Sequence, residues 1–307
     1  MVPLAVPFNS FGNALLLLFN GALATVIVII NVSVFISIVI TKSLRTENRF
    51  IYMMSTCISD FGTGVSWYYL GIFDVDDTVS GKNTTYFISS NFLGLSYLVI
   101  LAAQADRYHA VVSPFQYSRR MTPMKTVLVV CCLWVYAYAH VAALNLVTSA
   151  TAAKISSIGT FVCNVITLVI MLGLNIKLYL IAKYQLSREP PSAEREHRRG
   201  SLHLIIIVAG CFLLFWTPVF TYIIICDFAT THCYAFENRA TDPLRILPRV
   251  NSALTPFLYV RGCAPLKQAL LGRVWKCCAS SSVRKINPET GERADSNETN
   301  VAVICRN

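Results

Sequence analysis

Long uncharged stretches constrain this chain more than any other feature. From Thr84 to Ala105 no charged residue occurs, and then Asp106, Arg107 and Tyr108 arrive together. A bilayer crossing needs roughly 20 predominantly apolar residues. Candidate spans lie at residues 14–40, 51–73, 84–105, 126–147, 156–182 and 202–226. A seventh, at 243–260, carries Arg245 and Arg249 near its start and follows directly on Asp242. Pro218 and Pro256 fall inside spans, where neighbouring helices can re-satisfy the freed backbone groups. Composition agrees: 55% of the 307 residues are hydrophobic and 14% are charged, against about 25% charged in a soluble domain.

Lys and Arg set the orientation, because cytoplasmic loops carry them in excess. With the N-terminus outside, all of the 26 except Lys82, Lys154, Arg239, Arg245 and Arg249 fall on the cytoplasmic side. The net charge of +10 is therefore a membrane-face bias and does not point to nucleic acid. The N-terminus shows no basic region before its apolar run and no small-residue cleavage pattern, so the first span is expected to insert as its own anchor. The expected fold is an all-α membrane protein, a seven-transmembrane helix bundle with its N-terminus outside and a short amphipathic helix after span seven. Residues 1–13 are expected to form a short extracellular N-terminus, 14–260 the bundle, 261–278 the amphipathic segment and 279–307 a polar, disordered cytoplasmic tail. The segment SREPPSAEREHRRG, 187–200, reads as a polar loop between spans five and six.

Other membrane classes fit less well. No internal repeat marks an inverted-repeat transporter. The five His form no HExxH or His–carboxylate cluster and no nucleophile motif appears, so an enzyme is not expected. Five of the 11 Cys, Cys57, Cys131, Cys132, Cys163 and Cys211, sit in apolar runs, where Cys behaves as a small hydrophobe. Cys277 and Cys278 are juxtamembrane candidates for palmitoylation. Asn83 opens an outer Asn-Thr-Thr sequon, a glycosylation candidate. Ahead of the two Cys, Leu266, Leu270 and Val274 alternate with Lys267, Arg273 and Lys276, a pattern suited to an anionic lipid surface.

Ionisable residues inside spans point to function by default. Asp60 is the only charge in span two, with Ser96, Asn251 and Ser252 at compatible depths. Two readings stand: a small-cation site, or a protonated Asp holding helices together.

Asp106-Arg107-Tyr108 at the foot of span three resembles the signature of rhodopsin-like (class A) G-protein-coupled receptors. Further marks cover Asn31 to about Cys278. Asn31, Asp60 and Trp134 match the family residues of spans one, two and four. Phe212 to Pro218 matches FxxCWxP with Phe215 for Cys, and Thr255-Pro256-Phe257-Leu258-Tyr259 matches NPxxY with Thr for Asn. The resemblance implies a plasma-membrane receptor that binds an extracellular small-molecule or lipid ligand and activates a heterotrimeric G protein. It makes Asp106, Arg107 and Tyr108 the switch, Pro114 and Phe115 the docking loop, and Trp216, Pro218 and Tyr259 the moving parts. Asp60, Ser96, Asn251 and Ser252 match an allosteric sodium site, with no other cofactor implied.

Several positions depart from the family pattern. The Cys atop span three is replaced by Lys82, the fifth-span Pro by Thr167 and the lower Tyr of that span by Asn175. Those absences are shared with melanocortin, cannabinoid and lysophospholipid receptors. The resemblance to melanocortin receptors implies a Cys226–Cys233 bridge. The segment SPFQYSRRMTP is similar to odorant receptors, so a chemosensory receptor is the alternative, as is a heptahelical protein without signalling. At the base of span six His197, Arg198 and Arg199 stand where an acid usually faces Arg107, with Glu196 the nearest, so raised basal activity is expected. Ser89 occupies the position of the aminergic Asp, which argues against a monoamine. Arg245 and Arg249, four apart on one face of span seven, suit an anionic or amphiphilic ligand lined by Tyr86, Phe92, Ser89, Trp216 and Tyr222. The competing reading pairs the two Arg with acids such as Asp242.

Overall fold

A computed structural model describes residues 4–73, 88–147, 149–185, 193–228 and 240–276. The chain is helical almost throughout these residues. In order the helices are α1 (Phe11–Ile40), α2 (Lys42–Arg45), α3 (Asn48–Trp67), α4 (Ile88–Val112), α5 (Pro114–Arg120), α6 (Pro123–Leu146), α7 (Ser149–Leu180), α8 (Ala193–Phe228), α9 (Pro243–Gly262) and α10 (Ala264–Ala269). Spans one to seven correspond to α1, α3, α4, α6, α7, α8 and α9. π-Helical turns extend α3 through Tyr68–Ile72, α7 through Ile181–Gln185 and α10 through Leu270–Trp275.

Local chemistry sets the helix starts. Ser10 caps α1 by accepting from the Asn13 amide at 3.2 Å, and Asp242 caps α9 by accepting from the Leu244 amide at 2.9 Å. Such caps satisfy N–H groups that have no partner inside the helix. Pro stands in the first turn of α5, α6 and α9, where its missing N–H costs nothing.

Among the described residues, four helical segments are long and apolar enough to cross a membrane: Phe11–Ile40, Pro123–Leu146, Phe161–Leu180 and Leu202–Tyr222. The other three spans are more polar because they lie inside the bundle. α3 packs against α1, α4, α6 and α9, and buries Ser55, Thr56, Ser59, Asp60 and Thr63. The hydroxyls of Thr56, Ser59 and Thr63 donate to carbonyls one turn back, which satisfies them without a partner helix. Gly64 lets α1 and α3 approach closely: a Cβ there would meet Ile27 and Val28 at 2.9 Å. Asn31 ties α1 to α9 by donating to the Ser252 carbonyl at 3.1 Å.

Two expected boundaries move. Helix α4 runs through Asp106 and Arg107 to Val112, so the acid–base pair lies within the helix rather than at its end. Residues 193–200, expected in a loop, are helical and begin α8. Hydropathy marks only the lipid-facing length, whereas Ala, Glu and Arg continue a helix in water.

Candidate functional site

The candidate residues fall at three depths. Midway along α3, the wholly buried Asp60 accepts hydrogen bonds through Oδ1 from Ser96 of α4 and Ser252 of α9, each at 2.8 Å. One carboxylate oxygen thus joins three helices. The other, Oδ2, accepts no protein hydrogen bond among the described residues. Asn251 is buried beside this cluster and its Oδ1 accepts from Thr255 at 3.5 Å. Below lies a partly open cavity of about 20 Å³, with Asn31, Thr56, Thr255 and Tyr259 among its walls, which is room for about one water molecule.

At the side of this column Trp216 of α8 is stacked on Phe212 at 5.6 Å, with Phe220 at 5.3 Å and Tyr97 edge-on at 5.5 Å. Pro218 follows inside α8, where no backbone N–H is available for the helix ladder. Trp216 sits in an aromatic core that the swing of α8 would have to repack.

The cytoplasmic layer differs from the family expectation. Arg107 approaches Asp106 only to 4.0 Å. The closer partner of Asp106 is Tyr117 of α5, whose hydroxyl spans both carboxylate oxygens at 3.2 and 3.0 Å. Tyr117 in turn accepts from the Asn48 amide of α3 at 2.9 Å, and His109 packs edge-on against its ring. Burial, opposed by the Asn48 hydrogen bond, holds the Tyr117 phenol above its ordinary pKa, so it remains a donor. Sequence reading missed Tyr117 and Asn48. Their only signal is a hydroxyl three residues beyond Pro114, where one helical turn points it back toward α4. Tyr108 faces away from this network, under the Lys177 ammonium at 5.6 Å. Phe115 is 90% exposed.

In the outer half, Arg245 and Arg249 part company. Arg249 is 4% exposed, its guanidinium lies 3.8 Å over the ring of the buried Trp67, and it donates to the Arg245 carbonyl. The exposed Arg245 side chain pairs with Asp242 at 3.3 Å. Phe92 packs over Gly62 of α3. Tyr222 lines an open groove between α8 and α9 with Leu214, Pro218, Ile225 and Leu244. Cys226 and Ser89 lie in helices whose side chains there are outside the description, as are the side chains of Glu196 to Arg199. Tyr86, Asn83, Cys233, Cys277 and Cys278 lie outside the described residues.

Comparison with known proteins agrees with this arrangement. The family profile of the 7 transmembrane receptor (rhodopsin family) matches residues 30–259. Adenosine receptor A2b from Bos taurus is 26% identical over 280 residues, covering 78% of this chain and 82% of that receptor. Sphingosine 1-phosphate receptor 3 from Takifugu rubripes is 25% identical over 119 residues, covering 38% of this chain and 30% of that receptor's length. With the profile spanning Asn31, Asp60, Asp106-Arg107, Trp216 and Tyr259, the chain belongs to the rhodopsin family of seven-transmembrane receptors, multi-pass G-protein-coupled receptors of the plasma membrane.

Proposed function

We propose that this receptor binds a small extracellular ligand with an anionic group on an apolar body, and activates a heterotrimeric G protein from a loosely held resting state. Arg249 carries the ligand class. Its planar guanidinium, fixed on Trp67 in a low-dielectric setting, is suited to bidentate contact with a carboxylate or phosphate. The likeness to a sphingosine 1-phosphate receptor supports the same chemistry, since that ligand is a phosphate on a lipid. Arg245, held by Asp242 at the mouth, contributes less. Tyr86, Ser89, Phe92 and Tyr222 are proposed as further contacts above Trp216.

The sodium reading is proposed for Asp60, Ser96, Asn251 and Ser252. A hard cation takes oxygen ligands, and Asp60 has one oxygen that no protein donor uses among the described residues. Glycosylation at Asn83, a Cys226–Cys233 bridge and palmitoylation at Cys277 and Cys278 complete the proposal. The 4.0 Å separation of Arg107 from Asp106 supports raised basal activity.

Nucleotide exchange on purified G protein, with receptor in nanodiscs and a panel of lysophospholipids and carboxylates, tests the reading. Arg107→Ala should abolish exchange. Arg249→Ala should lower potency on the order of a hundredfold, because a charge-assisted pair is lost, and Arg249→Lys should recover part of it. Unchanged potency in Arg249→Ala at equal expression overturns the ligand class. Exchange indifferent to Arg107→Ala overturns signalling and favours a silent heptahelical protein.

A further inference from the structure

We infer that the cytoplasmic end of α1 carries a headgroup site for a polyphosphorylated membrane lipid, built jointly by α2 and the segment after α10. Two arginines from these separate elements converge on neighbouring carbonyls. Arg45 Nη1 donates to the Val39 carbonyl at 3.5 Å, and Arg273 Nη1 donates to the Ile40 carbonyl at 3.4 Å. The last carbonyls of a helix have no partner inside it and carry partial negative charge, so cations gather there. Each guanidinium presents five N–H donors, and one carbonyl uses few of them.

The surroundings fix these groups and leave them charged. Leu44, between Lys42 and Arg45, is buried in one apolar cluster with Ile38, Phe50, Leu266 and Ala269. α2 and the α10 segment both pack on α1 through that shared cluster, so the position of Arg45 relative to Arg273 does not depend on a flexible loop. Lys42, Arg45, Arg273 and Lys276 are all exposed, and among the described residues none of the four pairs with a carboxylate. Leu271 and Trp275 beside them are also exposed, which places apolar side chains at the level of the acyl chains and headgroups. Two guanidiniums on neighbouring carbonyls, with Lys42 and Lys276 exposed on the same two segments, match several phosphates on one headgroup better than single charges spread over many lipids. The site extends the juxtamembrane contact with anionic lipid from the α10 segment alone to include the first cytoplasmic loop.

The assignment rests on the family topology, which puts these residues inside, but its test is independent of signalling. Full-length receptor is placed in nanodiscs of phosphatidylcholine containing either a phosphatidylinositol bisphosphate or phosphatidylserine at equal total charge. Quenching of a fluorescent bisphosphate lipid by the receptor reads association. Wild type should enrich the bisphosphate lipid over phosphatidylserine at least tenfold. Arg45→Gln with Arg273→Gln removes the two convergent guanidiniums and should bring that enrichment close to one. Arg119→Gln with Arg120→Gln, basic residues of α5, should change it less than twofold. Arg45→Lys with Arg273→Lys, which preserves charge and gives a second foldable variant, should retain most of it. Equal association with both lipids overturns the proposal, as does an equal loss in the α5 variant. Soluble inositol trisphosphate that binds with no enrichment of the lipid would likewise overturn a membrane source. Loss of nucleotide exchange with lipid enrichment intact would instead count against the receptor reading alone.

Discussion

Asp60 and Asp106 are both buried acids that sequence alone marks as functional, yet the protein treats them in opposite ways. Asp60 gathers two hydroxyls onto one oxygen and leaves the other without a protein donor among the described residues. Asp106 shares both oxygens with one phenol and has Arg107 at the edge of ion-pairing distance. The first geometry suits a mobile cation that completes the oxygen set. The second suits a phenol clamp that holds a helix foot to a cytoplasmic loop and leaves Arg107 easy to release. Charge type therefore did not decide the role; the identity and number of donors did.

The comparison breaks first at Asp60. In sodium at tenfold its dissociation constant, wild type should gain about 1.4 kcal/mol over choline, a rise of a few degrees in unfolding temperature. Asp60→Asn should abolish that rise and the sodium dependence of basal exchange together. A sodium shift that survives in Asp60→Asn would place the ion elsewhere and dissolve the contrast.

Tyr117→Phe comes next. It deletes the hydroxyl across Asp106 and keeps the ring against His109. A hydrogen bond to a charged group contributes roughly 1.5–3 kcal/mol. If the clamp favours the resting state, basal exchange should rise about tenfold, with sodium sensitivity intact. Unchanged basal exchange at equal surface expression would mean that the clamp only positions α5. Asn48→Ala should act in the same direction and more weakly, about twofold to fivefold, because it removes a neutral donor one step from the acid.

Sequence reading located the spans and the Asp60 cluster because both follow from depth: helical rise places Ser96 and Ser252 opposite Asp60 once the spans are assigned. Tyr117 and Asn48 were not legible, since their meeting depends on how two cytoplasmic segments fold over α4. Arg245 and Arg249 looked equivalent at a spacing of four. They differ because Asp242 caps α9 and draws the nearer Arg, while the farther one meets Trp67 across the gap to α3. The cytoplasmic reach of α4 and α8 was hidden because hydropathy ends at the bilayer and helices do not.

The smallest effect on signalling is expected at Trp134, where a neutral donor meets a neutral acceptor. Its indole donates to the Ser55 hydroxyl of α3 at 2.9 Å, and its ring stacks on Tyr138. Trp134→Phe keeps an aromatic ring against α3 and loses one neutral hydrogen bond, about 1 kcal/mol. Ser55 lies one turn and a residue before Asp60 on the same helix, while Asp60 itself is held by Ser96 and Ser252. The variant should therefore unfold a few degrees lower, with basal exchange and sodium sensitivity both unchanged. A change in sodium sensitivity would show that α6 helps set the position of α3 around Asp60, and that the cation site extends beyond the three helices whose groups reach the carboxylate.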